Sequence, residues 1–419
     1  MKRFTPAVVI ALVTAAMLAA PREAAAYSVL AHEANIDALW DSTIQPLLAR
    51  KFPRATRQQL KQARAYAYGG SVIQDLGYYP FGSHFFSNLL HYVRSGDFVE
   101  TMIREARDVD EYGFALGALA HYAADNTGHP EAVNKAVALM FPKMRAKYGD
   151  VVTYEQSPAT HAVVEFSFDV VQAAAGAYAS EAYHDFIGFE VAKPLLERTF
   201  RAVYGLEMKD VFVNEDLAIG SYRHAISDTI PSITRIAWRD KREAIQRVKP
   251  GMAQQRFVFN LSRRDYERDF GHDYQRPGPL TLVLNVLYRL LPKIGPLRPL
   301  SFEAPTPESE ALFLASFLDT RQRYRTALRA VGERRLSLTN TNFDTGKPSA
   351  HGDYALADET YAELLNRLSE RQFADVPSAL RQNIVAFYAA APDRISSKKE
   401  RKRMEKVRRQ LVALNNVER

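Results

Sequence analysis

The sequence contains no cysteine. That excludes disulfides, a lipidated cysteine anchor, thiolate metal sites and cysteine nucleophiles together. Long apolar runs are scarce too. The run near the start, residues 7–20, falls short of the roughly 20 residues that a membrane-spanning helix needs. It is preceded by Met1-Lys2-Arg3 and followed by Ala24-Ala25-Ala26, the arrangement of a secretory signal peptide over residues 1–26. Cleavage after Ala26 makes Tyr27 the mature N-terminus, and the expectation is export, to a periplasm or beyond the cell. Also missing are a Walker phosphate loop, a Rossmann glycine fingerprint and a Gly-x-Ser-x-Gly elbow. Ser71, after Gly69-Gly70, has no acid–base neighbours at a useful spacing, which argues against a serine hydrolase. Charge excess is small: the formal net charge is +7. Much of it sits near the C-terminus, in Lys398-Lys399-Glu400-Arg401-Lys402-Arg403 and Lys406-Val407-Arg408-Arg409. A dedicated nucleic-acid binder is therefore not expected. The basic stretch reads first as a solvated helix with i,i+4 ion pairs, and second as a peripheral contact with anionic lipid or nucleic acid.

What is present is helical periodicity. Residues 31–49, 57–67, 98–109, 112–124, 131–148 and 161–175 read as amphipathic or buried helices, with Gly69-Gly70 closing the second. The Gly-, Pro- and aromatic-rich stretch from Asp75 to His84 reads as a loop. Beyond about residue 205 the chain becomes richer in arginine while staying mostly helical. Residues 280–291 form a short apolar segment, read as a buried helix with a membrane-interacting hairpin as the lesser reading. Residues 337–353 read as a surface loop or linker, and 358–374 and 377–390 as helices. The expected fold class is all-α. The expected division is a signal peptide at 1–26, a helical domain at 27–205 and a helical C-terminal region at 206–419.

Chemistry concentrates in His121-Tyr122-Ala123-Ala124-Asp125-Asn126-Thr127-Gly128-His129, which follows the small apolar run Phe114 to Ala120. His121, Asp125 and His129 recur every four residues, so on a helix they form one stripe drifting by about 40° per step. Two imidazoles and a carboxylate on a tightly packed helix suit a divalent transition metal such as zinc. His161 and Glu165 repeat the spacing one helix downstream. A break at Gly128 would displace His129 from the stripe. His91, in Leu89-Leu90-His91-Tyr92, is a lesser candidate, as a donor behind the ligands. His184, His224, His272 and His351 have no partners at metal-binding spacing and read as structural or surface residues.

Taken in order, Tyr27 to His32, Asp75 with His84, His121 with Asp125 and His129, and His161 with Glu165 resemble the zinc-dependent phospholipase C family, with its S1/P1-type nuclease relatives. The resemblance covers residues 27–175. It implies an exported, all-helical protein holding up to three zinc ions between its helices. Tyr27, through its backbone, and His32 would hold one ion. Asp75, His84, His121 and Asp125 would surround a second, with Asp125 bridging to the first, and His129, His161 and Glu165 would hold a third. The implied reaction is hydrolysis of a phosphodiester, most simply a phospholipid, by a zinc-bound hydroxide, with Asp75 as the catalytic carboxylate. Three features depart from the family pattern. Tyr27 replaces the usual tryptophan, His129 follows Asp125 by four residues where six is usual, and Asp75 and His84 are closer together than is usual. A single-strand nuclease, and a non-catalytic zinc-stabilised binding protein, are the alternative readings.

Overall fold

The computed structural model describes residues 29–175, 190–224, 242–243, 246, 302–389 and 398–416. The stretch 1–26 expected to be a signal peptide, Tyr27, residues 280–291, His184 and His272 lie outside them. The described chain is all-α apart from one two-stranded ladder. Helices α1 (Val29–Leu39) and α2 (Gln45–Lys51) are joined by a π turn at Trp40–Ile44, and α3 spans Arg57–Val72. A 3₁₀ segment at Ile73–Tyr78 leads to α4 (His84–Tyr92), α5 (Ser95–Glu105) and α6 (Val109–Gly128). A second π turn, His129–Val133, runs into α7 (Asn134–Met140). Then come α8 (Pro142–Tyr148), α9 (Pro158–Ala175), α10 (Lys193–Tyr204) and α11 (Glu215–His224). The later elements are α12 (Pro307–Gly332), β1 (Thr341–Asn342), β2 (Lys347–Pro348), α13 (Ala355–Glu370), α14 (Ser378–Ala389) and α15 (Lys398–Asn416). Among the described residues no helix is long and apolar enough to cross a membrane.

Helix α6 is the axis of the fold. The Asp108 carboxylate caps it, accepting from the amides of Asp110 at 3.0 Å and Glu111 at 2.8 Å. From Phe114 to Ala120 every residue is buried, as expected of a helix apolar on all sides. Its closest neighbour is α3, and small residues make that possible. A Cβ on Gly70 would stand 1.9 Å from the Phe114 carbonyl oxygen, and one on Gly117 would stand 2.1 Å from that of Ala67. Gly69-Gly70 therefore does not end α3, which continues to Val72: the glycines serve backbone contact, not termination.

Three other expectations change. The Asp75 stretch begins as a buried 3₁₀ turn rather than an open loop. Gly128 does not break the helix. Pro130 has no amide to donate, and the chain absorbs this with a π turn in which the Asn134 amide bonds back to the His129 carbonyl. The 337–353 stretch is only partly at the surface: Ser337, Thr339 and Gly346 to Pro348 are exposed, but Thr341, Asn342, Phe343 and Asp344 are buried.

The later elements enter the same core. Helix α12 lies against α6, and the Tyr324 hydroxyl donates to the Leu116 carbonyl at 2.9 Å. One apolar cluster includes Leu116 and Leu119 of α6, Phe168 of α9, Phe313 and Tyr324 of α12, and Tyr361 of α13.

The α3–α6 contact carries the first prediction. Gly70→Ala should cost about 2 kcal/mol or more, because the new methyl group meets backbone that cannot rotate away. Gly220→Ala, in α11 with no atom of the described residues within 4 Å of a new Cβ, should be neutral or gain up to about 1 kcal/mol of helix propensity. Thermal melts of the two variants against wild type test the pair.

Candidate metal centre

Four elements bring the centre together. Helix α1 supplies His32, the 3₁₀ turn supplies Asp75, α4 supplies His91, and α6 supplies His121 and Asp125. None of the five is more than 3 % exposed. Asp125 is the hub. Its Oδ1 lies 3.4 Å from His32 Nε2, and its Oδ2 lies 3.0 Å from His121 Nε2 and 3.3 Å from His91 Nε2. Asp75 completes the group, 3.4 Å from His91 Nε2 and 3.9 Å from His32 Nε2. The His32 and His121 rings stack, with centroids 4.3 Å apart.

A second group forms where the π turn meets α9. His129, His161 and Glu165 place ligand atoms within 4.8 Å of one another, as do His32, His121 and Asp125, and also Asp75, His91 and His121. The π turn keeps His129 on the side of α6 that carries Asp125, so its four-residue spacing is accommodated without a break. Helix α9 adds Asp169 one turn beyond Glu165. Its carboxylate accepts from the Leu30 and Ala31 amides at 2.8 and 3.0 Å, which fixes the start of α1 and so the depth of His32.

The ring nitrogens are sorted by their other partners. A carbonyl only accepts, so the nitrogen facing it carries the hydrogen. His121 Nδ1 donates to Ser71 O at 3.0 Å, His91 Nδ1 to Ser87 O at 2.8 Å, and His161 Nε2 to Val152 O at 2.6 Å. In the neutral rings, His121 Nε2, His91 Nε2 and His161 Nδ1 then carry the lone pair, as metal ligation requires. His121 Nε2, His161 Nδ1 and both oxygens of Asp75 and of Asp125 are buried without a well-formed hydrogen bond. Such atoms are costly in a dry interior unless something binds them. Two ligands of a tetrahedral zinc, each at about 2.1 Å, lie about 3.4 Å apart. The distances around Asp125 and Asp75, 3.0 to 3.9 Å, bracket that edge. The donor set fits zinc.

Electrostatics without a cation show how strained the assembly is. Burial pushes Asp75 up and His32 far down. Burial also opposes the charge on Asp125, but His121, His91 and His32 hold it well below the usual carboxylate range. Burial pulls His91 down too, yet Asp125 and Asp75 outweigh it and raise it to about 10. Burial lowers His129 to about 3 and His161 to about 4, and with Asp125 and Asp75 it drives Glu165 well up. Any metal taken up here would displace the proton on His91.

Residues 38–213 match the model of the family described as zinc dependent phospholipase C. The N-terminal part of the chain carries the zinc-dependent phospholipase C pattern. The all-α architecture agrees with it. The match contains Asp75, His91, His121, Asp125, His129, His161 and Glu165, begins after His32 and ends well before α12. No curated protein and no solved structure matches the chain.

Within the matched residues, the structure leaves one expected ligand outside the candidate groups and brings another in. His84 is exposed at the first position of α4, its ring against Tyr78 at 5.6 Å, and joins none of the three ligand groups. His91, two turns further along the same helix, occupies the place expected for it. The physical reason is depth: Ser83 caps α4 at the protein's edge, whereas Leu89, Leu90 and Tyr92 carry His91 into the core. Sequence reading also passed over Phe343 and Asp344. The Phe343 amide donates to the His91 carbonyl at 3.2 Å, and its ring lies 5.1 Å from that of His91 and 6.0 Å from that of His121. His351, read as structural, is buried against Phe387 and Tyr388, away from the centre.

His91→Ala and His121→Ala should therefore strip metal from the centre. His84→Ala and His351→Ala should keep wild-type metal content. Elemental analysis of the purified variants decides, and full metal in His91→Ala together with loss in His84→Ala would reverse the assignment.

Proposed function

We propose that the chain is an exported, zinc-dependent phosphodiester hydrolase that cleaves phospholipid in the manner of a phospholipase C. The supporting observation is the convergence of three buried ligand groups in a chain whose residues 38–213 match that family. Zinc ions held there would act as Lewis acids on phosphate oxygens and lower the pKa of a bound water toward about 7. His32, His121 and Asp125 would hold one ion, with the Tyr27 backbone completing it after cleavage behind Ala26. Asp75 and His91, with His121 and Asp125, would hold another, and His129, His161 and Glu165 the third.

Asp75 has a second task. Burial raises its proton affinity, and it lies in the turn between α3 and α4, beside the other ligands. It takes the proton from the attacking water as the oxygen adds to phosphorus. The bond from phosphorus to the glycerol oxygen then breaks, and the proton held by Asp75 passes to that oxygen, which restores the carboxylate. The products are a diacylglycerol and a phosphorylated head group. The stacked His32 and His121 rings, pinned through Asp169 and Ser71, keep the carboxylates aligned through the step.

The test is the zinc-loaded, N-terminally sequenced protein assayed on phosphatidylcholine vesicles and, separately, on single-stranded DNA. Lipid cleavage behind a Tyr27 terminus, with Asp75→Asn at least 100-fold slower, is the expected result. Cleavage of DNA alone would make the protein a nuclease. Zinc without turnover of either substrate would make it a binding protein.

A further inference from the structure

The chain beyond residue 213 has no part in the family match, yet it reaches the third ligand group. Asp344 lies at the tip of the β1–β2 hairpin, where its amide bonds to Asn342 Oδ1 at 2.9 Å in a turn closed by Gly346. The tip is fastened on several sides. Asn134 Nδ2 donates to the Asp344 carbonyl at 2.8 Å, Ser95 Oγ donates to Thr341 O at 2.7 Å, and Thr341 Oγ1 bonds Asn126 Oδ1 at 2.6 Å. The carboxylate is 2 % exposed. Its Oδ2 accepts from Tyr92 Oη at 3.0 Å and from Tyr354 Oη. Its Oδ1 stands 3.2 Å from His129 Nδ1, a buried nitrogen that makes no well-formed hydrogen bond in this arrangement.

His121, His91 and His161 each spend one ring nitrogen on a backbone carbonyl and turn the other to the centre. In His129 the corresponding neighbour is a carboxylate. We propose that Asp344 is a positioning residue for the third metal site: with zinc on Nε2 of His129, a small turn of the ring lets Asp344 Oδ1, already 3.2 Å away, accept the Nδ1–H, which fixes the tautomer and ring orientation. A carboxylate in this place also makes the imidazole a stronger donor than a carbonyl would, and loss of such a partner typically weakens metal binding 10- to 100-fold. The two tyrosine hydroxyls occupy Oδ2 and leave Oδ1 for the histidine. The third site would then belong jointly to the family-like part and to the hairpin outside it.

This rests on the zinc reading above, so the experiment measures metal rather than turnover. Zinc equivalents retained by the full-length protein are measured against a graded series of chelator concentrations, for wild type and for the nearly isosteric Asp344→Asn. The expected result is that one of three equivalents weakens 10- to 100-fold while the other two keep their wild-type affinity. Three unchanged equivalents, or a uniform weakening of all three, would overturn the proposal, the latter because it marks a general structural role. A wild type that holds no zinc would instead defeat the reading of the whole centre. A second measurement needs no variant: in the imidazole ¹⁵N spectrum of zinc-loaded wild type, His129 should carry its proton on Nδ1 and its metal on Nε2. The reverse tautomer would refute the role of Asp344.

Discussion

Asp125 has no exposed surface and stands among three imidazoles, within reach of a second carboxylate. An ionised carboxylate in a dry interior is tolerated only if it is paired and bonded. Every neighbouring element serves that requirement. Helix α3 offers the Ser71 carbonyl to His121, α4 brings His91 on its own Ser87 carbonyl, and α9 anchors α1 so that His32 stacks at the right depth. The apolar half of α6 does the complementary work. Its all-round burial and glycine-spaced contact with α3 make a rigid post, and the ionisable groups hang from its far end. Rigidity matters because a metal site tolerates displacements of only a few tenths of an ångström.

Most of this was legible where it depends on local periodicity. The four-residue repeat from His121 to His129, and that from His161 to Glu165, put side chains on one face before any tertiary contact is known. The choice between His84 and His91 was not legible in that way. They are seven residues apart, so on a helix they share a face to within about 20° and differ mainly by about 10 Å along the axis. Periodicity cannot see depth along an axis. The flanking residues could: Gly82-Ser83 beside His84 marks a helix start, and Leu89, Leu90 and Tyr92 around His91 mark an interior. Gly69-Gly70 was misleading for a related reason. A glycine pair marks a terminus or a close approach equally well, and only the partner helix tells which. Asp344 was beyond reach, since Asn342-Phe343-Asp344-Thr345-Gly346 has the composition of a surface turn and its burial is wholly non-local.

The π turn at His129–Val133 shows a local rule and a global need meeting. Pro130 removes one helical hydrogen bond, a loss that would normally kink or end the helix. Here the chain accepts one extra residue in the turn and continues into α7 with His129 still buried. Such single-turn distortions cost stability and persist where geometry requires them. A regular helix with a different residue at 130 would rotate everything after His129 relative to α9, and with it the direction in which His129 faces His161, whose ring centroid lies 5.9 Å away.

The hairpin that touches this turn has a consequence in time as well as in space. Asn134 and its partner Asp344 are 210 positions apart. A chain synthesised from its N-terminus presents the candidate ligands of α6 long before the hairpin exists, and contacts of such separation form late because closing the loop is entropically costly. In the interval those imidazoles and carboxylates stand beside an incomplete wall, open to water and to whatever cations surround the nascent chain. Completion of the pocket is thus tied to completion of the polypeptide, and the last wall of the candidate centre arrives with the last third of the chain.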